Sequence, residues 1–510
     1  MSLLGESAKL EIWRSLTLTQ WAVLVTLLHV LYKLVLYPFL LSSVRHVPGP
    51  WYTRMSRIPL QYAIYQHRRT SFATALLDQY GPIVVIAPDQ VHTNDDSAMK
   101  IIYDRSSLKT SFYKSMGSWK GVTGTLGFID YRTAAPTRNN LIECFQNRNL
   151  VTLDANIESH INNFIRLLDE KADQNEKVDG VIVFRFLALD IVTDVLWGEE
   201  TRLLANSNHL NAQAFLRRFL AFSRWNATKG FIPGADTFVR LFGTKKWREL
   251  RNDCNDMDMT ARDALQHWRD NQDGRHEKDV LSMLQAMNNG DDQTKIISSD
   301  DQIIAYMVEM LAAGSSTTSH TAAFVCWMLM RNDAAQMKLR SELRESFSDL
   351  ASMDIKLTMD LPYLDAVIRE TMRLFPMIPG PLERILGKEI VVDGNVIRPG
   401  VVASTAAYNQ GQLGEVFPDA NKWNPDRWLD SNDRMRLNWI PFGHGCRVCP
   451  GVNLAMTELK YIIGAVFRRF RVVIPLGHED DMLEFADVFA AGSKTGHCWL
   501  KFDRLEQKAE

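Results

Sequence analysis

The sequence predicts a mainly helical α+β protein in which one apolar helix precedes a folded body. Residues 150–344 follow a helical hydrophobic period almost throughout, whereas strand-like runs are short and few. Hydrophobic residues make up 46% and charged residues 23% of the 510 residues, which is typical of a globular protein rather than a disordered one. A strongly apolar run near the N-terminus stands apart from this body and predicts the additional helix.

The N-terminal element is this apolar run, residues 16–41, which follows a short tail, residues 1–15. About 20 apolar residues span a bilayer, so the run predicts a transmembrane anchor, and Lys33 lies near enough to one end to reach the membrane surface. A cleaved signal peptide and a buried core helix are the alternatives. The length of the run and the lack of a clear small-residue cleavage site disfavour the signal peptide. Most of the nearby positive charge follows the run, which predicts a cytosolic body.

A proline-rich segment, residues 42–52, contains Pro48-Gly49-Pro50. Because proline cannot continue a helix there, the segment predicts a hinge between the anchor and the folded body, residues 53–510.

Two short strand regions follow in the body. Gly81-Pro82 precedes an apolar run, residues 83–88, and Asp393-Gly394 follows another, residues 389–392. Asp-Gly between apolar runs favours a tight hairpin, so small sheets are expected beside the helices.

The longest predicted helix, residues 299–330, contains a polar island, Ala313-Gly314-Ser315-Ser316-Thr317-Thr318-Ser319. Ser299 is a suitable N-cap, and Asp300 and Asp301 favour the helix start. Glycine, serine and threonine weaken a helix, so an apolar helix carries them only for a reason. Taken alone, the island is explained by a helix crossing that needs small residues.

A second block lies on a predicted helix that ends at Leu374-Phe375-Pro376. Glu370 and Arg373 are three residues apart, so they lie on one helical face and can pair. Such pairs are common on exposed helices, and the setting before Leu-Phe-Pro makes this one more specific.

The most informative segment is Phe442-Gly443-His444-Gly445-Cys446-Arg447-Val448-Cys449-Pro450-Gly451. It places a cysteine on a tightly turned, glycine-rich loop, and a helix is expected to begin near Val452. A thiolate is the metal-binding form of cysteine, and cationic neighbours and helix N-termini both favour it. Arg447 and the helix start flank Cys449.

Cys446 and Cys449 also form a C-x-x-C pair, which in another setting suggests a redox dithiol or half of a zinc site. A structural zinc site needs four ligands, and the other four cysteines are scattered singly, so zinc is kept as a remote alternative. Six cysteines in the whole chain are too few for a disulfide scaffold. The net charge of −2 gives no basic field for nucleic acid, and none is expected as a partner.

The pattern F-G-x-G-x-R-x-C-x-G in residues 442–451 resembles the haem-ligand loop of the cytochrome P450 family. The polar island and the E-x-x-R block are similar to two further motifs of that family. The resemblance covers the chain from about residue 48 to its end. It implies a triangular, mainly helical body with small β-sheets, and haem b as cofactor with the Cys449 thiolate as axial iron ligand.

The resemblance also implies roles for other residues. Three arginines would bind the haem propionates: Arg447, Arg384 and Arg138. At the last of these sites Ala134 replaces the ring residue of the family pattern, and Phe442 would pack near the thiolate. A buried structural charge cluster would consist of Glu370, Arg373 and Arg427, the last in Trp423-Asn424-Pro425-Asp426-Arg427-Trp428.

In the long helix, the resemblance implies that Gly314 opens a groove for dioxygen and that the Thr317 hydroxyl hydrogen-bonds the bound oxygen and relays protons. The family pattern has an acid before the threonine, whereas this chain has Ser316. A carboxylate can take up and deliver protons, and a serine can only pass them along. Ser316 therefore leaves the proton source open. Glu309 lies two turns from Thr317, about 12 Å along the helix axis, and cannot simply replace the acid.

We expect a haem-thiolate monooxygenase that hydroxylates, epoxidises or otherwise oxidises an apolar small molecule with O₂ and NADPH. No flavin or nicotinamide motif is visible, so electrons would come from a separate NADPH–cytochrome reductase, with cytochrome b5 as a second candidate donor. The expected location is the endoplasmic reticulum membrane, with a single pass through the lipid and the catalytic domain facing the cytosol. The resemblance is closest to filamentous-fungal members, which associates the chain with a tailoring step in secondary-metabolite biosynthesis.

Two alternatives remain at this stage: a reductase-independent isomerase or dehydratase of the same family, and a non-catalytic haem-binding protein. By resemblance, the substrate walls would be Met377-Ile378-Pro379, residues 115–125 and residues 488–493. A basic patch for an acidic flavoprotein would consist of Lys460, Arg468, Arg469 and Arg471. A solvated helix face explains these four residues equally well.

Overall fold

The fold is mainly helical with several small sheets, which confirms the α+β prediction. The computed structural model describes residues 17–198, 201–207, 209–232, 234–271, 279–288, 299–347, 354–480, 482 and 485–505. The predicted N-terminal tail, residues 1–15, and the first residue of the predicted anchor lie outside these ranges.

The helices, in chain order, are α1 (Leu18–Leu31), α2 (Trp51–Met55), α3 (Ile58–Tyr65), α4 (Arg69–Tyr80), α5 (Asp96–Ile102), α6 (Ser111–Met116), α7 (Tyr131–Cys144), α8 (Asn147–Leu150), α9 (Asp154–Asp173), α10 (Gly180–Trp197), α11 (Leu210–Phe231), α12 (Ala235–Phe242), α13 (Lys245–Asp270), α14 (Val280–Asn288), α15 (Asp300–Arg331), α16 (Asp333–Ser346), α17 (Ile355–Met359), α18 (Pro362–Leu374), α19 (Ala407–Gly411), α20 (Asp433–Asn438) and α21 (Val452–Arg469). A π-helical segment, Tyr32–Leu41, continues α1, and short 3₁₀ turns are formed by Val151–Leu153, Pro425–Trp428 and Gly445–Arg447.

The strands are β1 (Ile83–Ala87), β2 (Gln90–Thr93), β3 (Leu108–Lys109), β4 (Ser118–Trp119), β5 (Val122–Thr123), β6 (Lys177–Asp179), β7 (Arg384–Ile385), β8 (Ile390–Val392), β9 (Asn395–Ile397), β10 (Val402–Ser404), β11 (Phe470–Val473), β12 (Phe485–Val488), β13 (Ala490–Ser493) and β14 (Trp499–Arg504). The largest sheet has the order β1-β2-β10-β7-β3, in which only β2 and β10 pair in parallel. A second sheet has the order β11-β14-β6, and three hairpins pair β4 with β5, β8 with β9 and β12 with β13.

The predicted hairpin at Asp393-Gly394 is present between β8 and β9. Both turn residues have positive φ angles, 47° and 73°, as a two-residue turn of this hand requires. The earlier strand run is also confirmed, as β1.

Helix α15 runs through the core and contains the polar island. It begins as predicted, because the Ser299 side chain accepts a hydrogen bond from the Gln302 amide. Helix α10 packs along it, and a Cβ added to Gly314 would lie only 2.9 Å from Val192 of α10. Close helix crossing therefore accounts for the glycine at this position, and the groove for dioxygen stays a prediction.

The apolar N-terminal segment forms a continuous helical stretch, Leu18–Leu41, that is long and apolar enough to cross a membrane. Only 6% of its most apolar window is buried, which argues against a core helix and leaves the signal sequence as the alternative to an anchor.

The end of this stretch is fastened to the body. The Tyr37 and Ser42 hydroxyls both donate to the Asp89 carboxylate, each at 2.8 Å. The Val85 amide donates to the Pro48 carbonyl at 2.9 Å, so the proline-rich segment follows β1. The role of residues 42–52 as a hinge stays a prediction.

Glu458 of α21 is a buried acid in the packing between α21 and α15. It is 1% exposed, Thr318 of α15 hydrogen-bonds its carboxyl group, and its Oε1 has no partner among the described atoms. Burial raises the pKa of Glu458 to about 8, and the Thr318 hydrogen bond offsets this only in part. The folded protein therefore holds this carboxyl protonated at neutral pH.

We predict that Glu458→Gln removes a pH dependence of stability. The folded pKa of about 8 exceeds the ordinary value of 4.5, so the contribution of Glu458 is complete below about pH 4.5 and is lost as the pH rises through 8. From pH 5 to pH 8 the free energy of unfolding of the wild type should fall by roughly a few kcal/mol relative to the variant. Guanidinium denaturation measures this, with the exposed Glu345→Gln as control. Parallel pH profiles for wild type and Glu458→Gln would contradict the prediction.

Candidate active site

The loop around Cys449 has the tight turns that the sequence predicts. The Cys449 amide donates to the Phe442 carbonyl at 2.8 Å, and α21 begins three residues after Cys449. Gly445 has a φ of 67°, and a Cβ there would overlap the Tyr103 carbonyl oxygen, so only glycine fits. The Phe442 ring packs against Trp439 at a centroid distance of 5.9 Å.

Burial dominates the electrostatics of the Cys449 thiol. It raises the pKa of Cys449, while the hydrogen bond from the Gly451 amide and the charge of Arg138 lower it. The Gly451 hydrogen bond and the Arg138 charge therefore do not outweigh desolvation. A coordinated thiol is deprotonated outright, so a metal bound at Cys449 would itself produce the thiolate.

Cys446 does not take part in a second metal site within the described residues. Its Sγ contacts the Tyr103 carbonyl oxygen at 3.6 Å. No group of three or more histidine, cysteine or acidic residues in the described ranges has a geometry suited to a metal ion. The zinc alternative therefore gains no support.

The three predicted arginines surround a fourth cation that the sequence did not single out, Lys109. The Lys109 Nζ is buried, donates to the Leu126 carbonyl at 2.7 Å and lies 4.9 Å from the centre of the Tyr113 ring. Burial lowers the pKa of Lys109 well below its ordinary value, and the charges of three arginines lower it further: Arg384, Arg447 and Arg138.

Within the described part of the chain, these four cations hydrogen-bond to neutral groups only. Arg384 is 5% exposed and donates to the Tyr113 hydroxyl at 3.0 Å, and Arg447 donates to the Ile129 carbonyl at 3.1 Å. Arg138 donates to the Val448 carbonyl, next to Cys449. None of the four forms a salt bridge with a described carboxylate.

Lys109 and Arg384 are buried, and Arg447 and Arg138 are half-buried. The charge of Glu309 raises the pKa of Lys109 but does not offset the other effects. Cations gathered in this way without paired carboxylates are costly, and the two propionates of haem would supply partner anions.

The cluster and the Cys449 loop therefore fit this cofactor. Lys109 also offers a contact where Ala134, which is buried, lacks the ring donor of the family pattern.

On α15, which is mostly buried, the polar island has one side that is accessible to solvent. Ala313 is exposed, and Gly314, Ser316 and Thr317 are half-buried, whereas Ser315, Thr318 and Ser319 are buried. The Thr317 hydroxyl donates to the Ala313 carbonyl at 2.7 Å. The accessible side of the island is therefore the side that carries the predicted site residues.

His320 lies behind Ser316. Its Nδ1 is 2.8 Å from the Ser316 carbonyl and its Nε2 is 3.2 Å from Arg185 Nη2. A carbonyl only accepts and a guanidinium only donates, so the hydrogen is on Nδ1 and the ring is neutral. Burial, assisted by the Arg185 charge, lowers the pKa of His320 to about 4. This ring therefore does not replace the missing acid.

Glu309 is engaged with the loop that leads from β5 to α7. Its Oε1 accepts from the Thr125 hydroxyl and the Leu126 amide, both at 2.6 Å. Burial raises the pKa of Glu309. The carboxylate thus positions the loop, in keeping with its predicted distance from Thr317.

The structure brings Glu370, Arg373 and Arg427 together in a buried cluster. Glu370 is 0% exposed and accepts from Arg373 at 2.8 and 2.9 Å and from Arg427 Nε at 3.0 Å. The Asn424 amide and the Trp428 indole also donate to it, each at 2.9 Å. Every lone-pair direction of this carboxylate thus faces a donor, which a buried charge requires.

The predicted basic patch is wrong for two of its four residues, which are buried. Lys460 is 6% exposed and pairs with Asp365 at 2.9 Å, and Arg468 is 8% exposed and donates to the Phe347 carbonyl. The other two arginines, Arg469 and Arg471, form ion pairs with Asp169 and Asp333. The reason is that other helices and loops cover this face of α21.

Comparison with known proteins identifies one family. The family model described as Cytochrome P450 matches residues 50–499. Cytochrome P450 monooxygenase aba2 of Botryotinia fuckeliana (strain B05.10) is 26% identical over 509 residues, covering 95% of this chain and 93% of the relative. Cytochrome P450 monooxygenases ABA2 of Pyricularia oryzae and traB of Penicillium crustosum are also 26% identical, over 84% of this chain and 84% and 86% of their own lengths.

We predict that Glu370→Gln costs roughly 3–5 kcal/mol of stability, because it leaves two guanidinium groups without their anion. Denaturation midpoints and the yield of haem-loaded protein measure the loss. The control is Asp419→Asn, which breaks an exposed pair with Lys422 and should cost at most about 1 kcal/mol. Equal effects of the two substitutions would contradict the buried-cluster interpretation.

We predict that Lys109→Gln accelerates haem loss about tenfold, since a hydrogen bond to a charged group contributes about 1.5–3 kcal/mol. Transfer of haem to excess apomyoglobin measures the rate. The matched control is Lys114→Gln on α6, the helix that follows β3, where the lysine side chain is exposed. Identical rates for the two variants would show that Lys109 does not contact the cofactor.

Proposed function

The chain belongs to the cytochrome P450 family of oxygen-incorporating oxidoreductases, and we propose that it oxidises an apolar small molecule as a tailoring step in fungal secondary metabolism. The observation that carries the proposal is the pairing of the Cys449 loop with four cations, two buried and two half-buried, that form no salt bridge with a described carboxylate. The fungal relatives named as monooxygenases support the reaction class.

The proposed cofactor contacts come from separate parts of the chain. Cys449 would be the iron ligand, and the propionates would meet Arg138, Arg384, Arg447 and Lys109. Phe442, whose ring packs against Trp439 at the start of the loop, would limit access of water to the sulfur. Haem held by a thiolate supplies the activation of dioxygen.

On the distal side, Thr317 and Ser316 would move protons. The Thr317 hydroxyl donates to Ala313 and can still accept a hydrogen bond from water or from a pocket group. Ser316 is accessible and has no carboxylate, so it would relay protons from solvent rather than store one. Gly314 permits α10 to approach closely, which would keep this part of α15 in place.

The substrate would bind beside the accessible face of the island. Two of the expected walls are joined, because the Ala491 amide donates to the Met377 carbonyl at 2.7 Å. Met377 and Pro379 are buried and Ile378 is half-buried. An apolar molecule suits such walls.

Electrons would come from a membrane-bound NADPH–cytochrome reductase, with cytochrome b5 as a second donor. The helical stretch Leu18–Leu41 would anchor the protein in the endoplasmic reticulum, with the domain of residues 53–510 facing the cytosol. With Lys460 and Arg468 buried, the docking surface would have to use cations other than these two.

Ser316 favours one second candidate, a reductase-independent isomerase or dehydratase that needs no external proton and electron supply.

Experiments on the purified full-length protein distinguish the candidates. A thiolate haem is expected to give a carbon monoxide complex with a strongly red-shifted Soret band, which Cys449→Ser should lose. NADPH consumption with added reductase and an apolar substrate supports the monooxygenase. Substrate conversion without NADPH favours the isomerase, and haem binding without any turnover favours a binding protein.

We predict that Ser316→Asp raises the fraction of NADPH electrons that reach product, because a carboxylate can store the proton that serine can only pass on. Ser316→Ala, the matched control, should lower this fraction by several-fold. Peroxide released per NADPH oxidised measures both. If neither substitution changes the ratio, proton delivery does not pass through this position.

A further inference from the structure

Arg69, the first residue of α4, is a buried guanidinium whose hydrogen bonds are incomplete. The side chain is 4% exposed, and its Nε and Nη2 have no acceptor among the described atoms. A buried donor without a partner costs about 1–3 kcal/mol. In a native fold such donors are met either by an ordered water or by a bound ligand.

The nearest carboxylate neutralises Arg69 but does not hydrogen-bond it. Asp487 Oδ2 is 3.6 Å from Arg69 Nε, beyond hydrogen-bond distance. This oxygen instead accepts from the Thr70 amide at 3.1 Å and the Thr70 hydroxyl at 2.5 Å, and Asp487 Oδ1 accepts from the Phe489 amide at 3.1 Å. The charge is therefore balanced while the guanidinium N–H groups are left over.

Arg69 also lies beside a group of three aromatic rings, one of which, Phe489, belongs to the expected substrate wall of residues 488–493. The guanidinium carbon lies 5.3 Å from the centre of the Phe231 ring. Phe112 joins Phe231 to Phe489, with ring centroids 4.8 and 5.7 Å apart, and all three rings are half-buried. These rings come from α11, α6 and the β12–β13 turn, and the turn lies in the predicted wall of residues 488–493.

Gly380 completes the site, directly after the wall Met377-Ile378-Pro379. A Cβ on Gly380 would lie 2.5 Å from Arg69 Nη2 and 2.8 Å from Asp487 Oδ2. The missing side chain lets the guanidinium lie against this wall. Any larger residue would push Arg69 away from it.

We propose that Arg69 is a specificity-determining residue that donates hydrogen bonds to a neutral oxygen of the substrate. Because Asp487 already balances its charge, a carboxylate ligand would leave net negative charge in a buried site, which is costly. A ketone, ester, lactone or hydroxyl oxygen accepts without this cost. The substrate class is therefore an apolar skeleton with such an oxygen at the end held by Arg69. This inference rests on the proposed oxidation of an apolar small molecule.

The test uses full-length haem-loaded protein and three probes: cyclododecane, cyclododecanone and dodecanoate. Soret-band titration gives the dissociation constants. In the wild type we expect cyclododecanone to bind about threefold to tenfold more tightly than cyclododecane, the contribution of one net hydrogen bond. Dodecanoate should bind no more tightly than the ketone.

The variant Arg69→Met/Asp487→Asn removes both charges together, so that no buried carboxylate is stranded. It should bind cyclododecane like the wild type and lose the preference for the ketone. Arg69→Lys keeps the charge but removes Nε–H and the guanidinium fork, and should lose most of the preference. The carbon monoxide band verifies that each variant is folded around haem.

The results divide clearly. A wild type that does not prefer the ketone, including one that binds no probe, overturns the proposal, since an ordered water then serves the Arg69 donors. A preference that survives in both variants, or tighter binding of dodecanoate than of the ketone, also overturns it. NADPH-dependent oxidation is measured separately. Turnover without an Arg69-dependent preference refutes this inference alone, whereas the preference without turnover refutes the proposed function alone.

Discussion

Five hydrogen bonds to one carboxylate hold together the part of the fold on which the cysteine loop depends. Glu370 receives them from Arg373, Arg427, Asn424 and Trp428, so it joins α18 to the segment that leads toward residues 442–451. Arg373 extends the same network to the carbonyls of Gly411, Ala420 and Lys422. A buried charge satisfied from this many directions tolerates only one arrangement of its partners. The Trp428 ring packs against Trp439, and Trp439 packs against Phe442, so the charge cluster is connected to the cysteine loop.

A second constraint is the cluster of four cations near the cysteine loop, two of them buried and two half-buried. Lys109 and three arginines share a region in which their described partners are carbonyls and a tyrosine hydroxyl. Folding alone gives no reason to gather cations in this way, because each desolvated charge raises the energy of the others. A dianionic cofactor turns the same arrangement into a source of affinity. The cation cluster and the Cys449 thiol are different residues, and both fit the same cofactor, haem.

Much of this organisation was predictable from local sequence. The E-x-x-R block, the glycine-rich cysteine loop, the Asp-Gly hairpin and the capped start of α15 each lie within a few consecutive residues, where spacing determines geometry. Lys109, Glu458 and Arg69 gave no such signal, because their burial depends on partners far away in the chain. Lys460 and Arg468 show the converse error. A helical period does not reveal which other elements cover a face, and both side chains proved to be buried.

The contact of Tyr37 and Ser42 with Asp89 has a mechanical consequence. Two hydroxyls at the C-terminal end of the apolar stretch donate to the same carboxylate. The direction of that stretch is therefore coupled to the β1–β2 turn. If the stretch is inserted in lipid, its tilt would set the orientation of the folded domain relative to the membrane surface. Through these two hydrogen bonds, the single residue Asp89 would determine which surface of the enzyme faces the lipid and which faces the solvent.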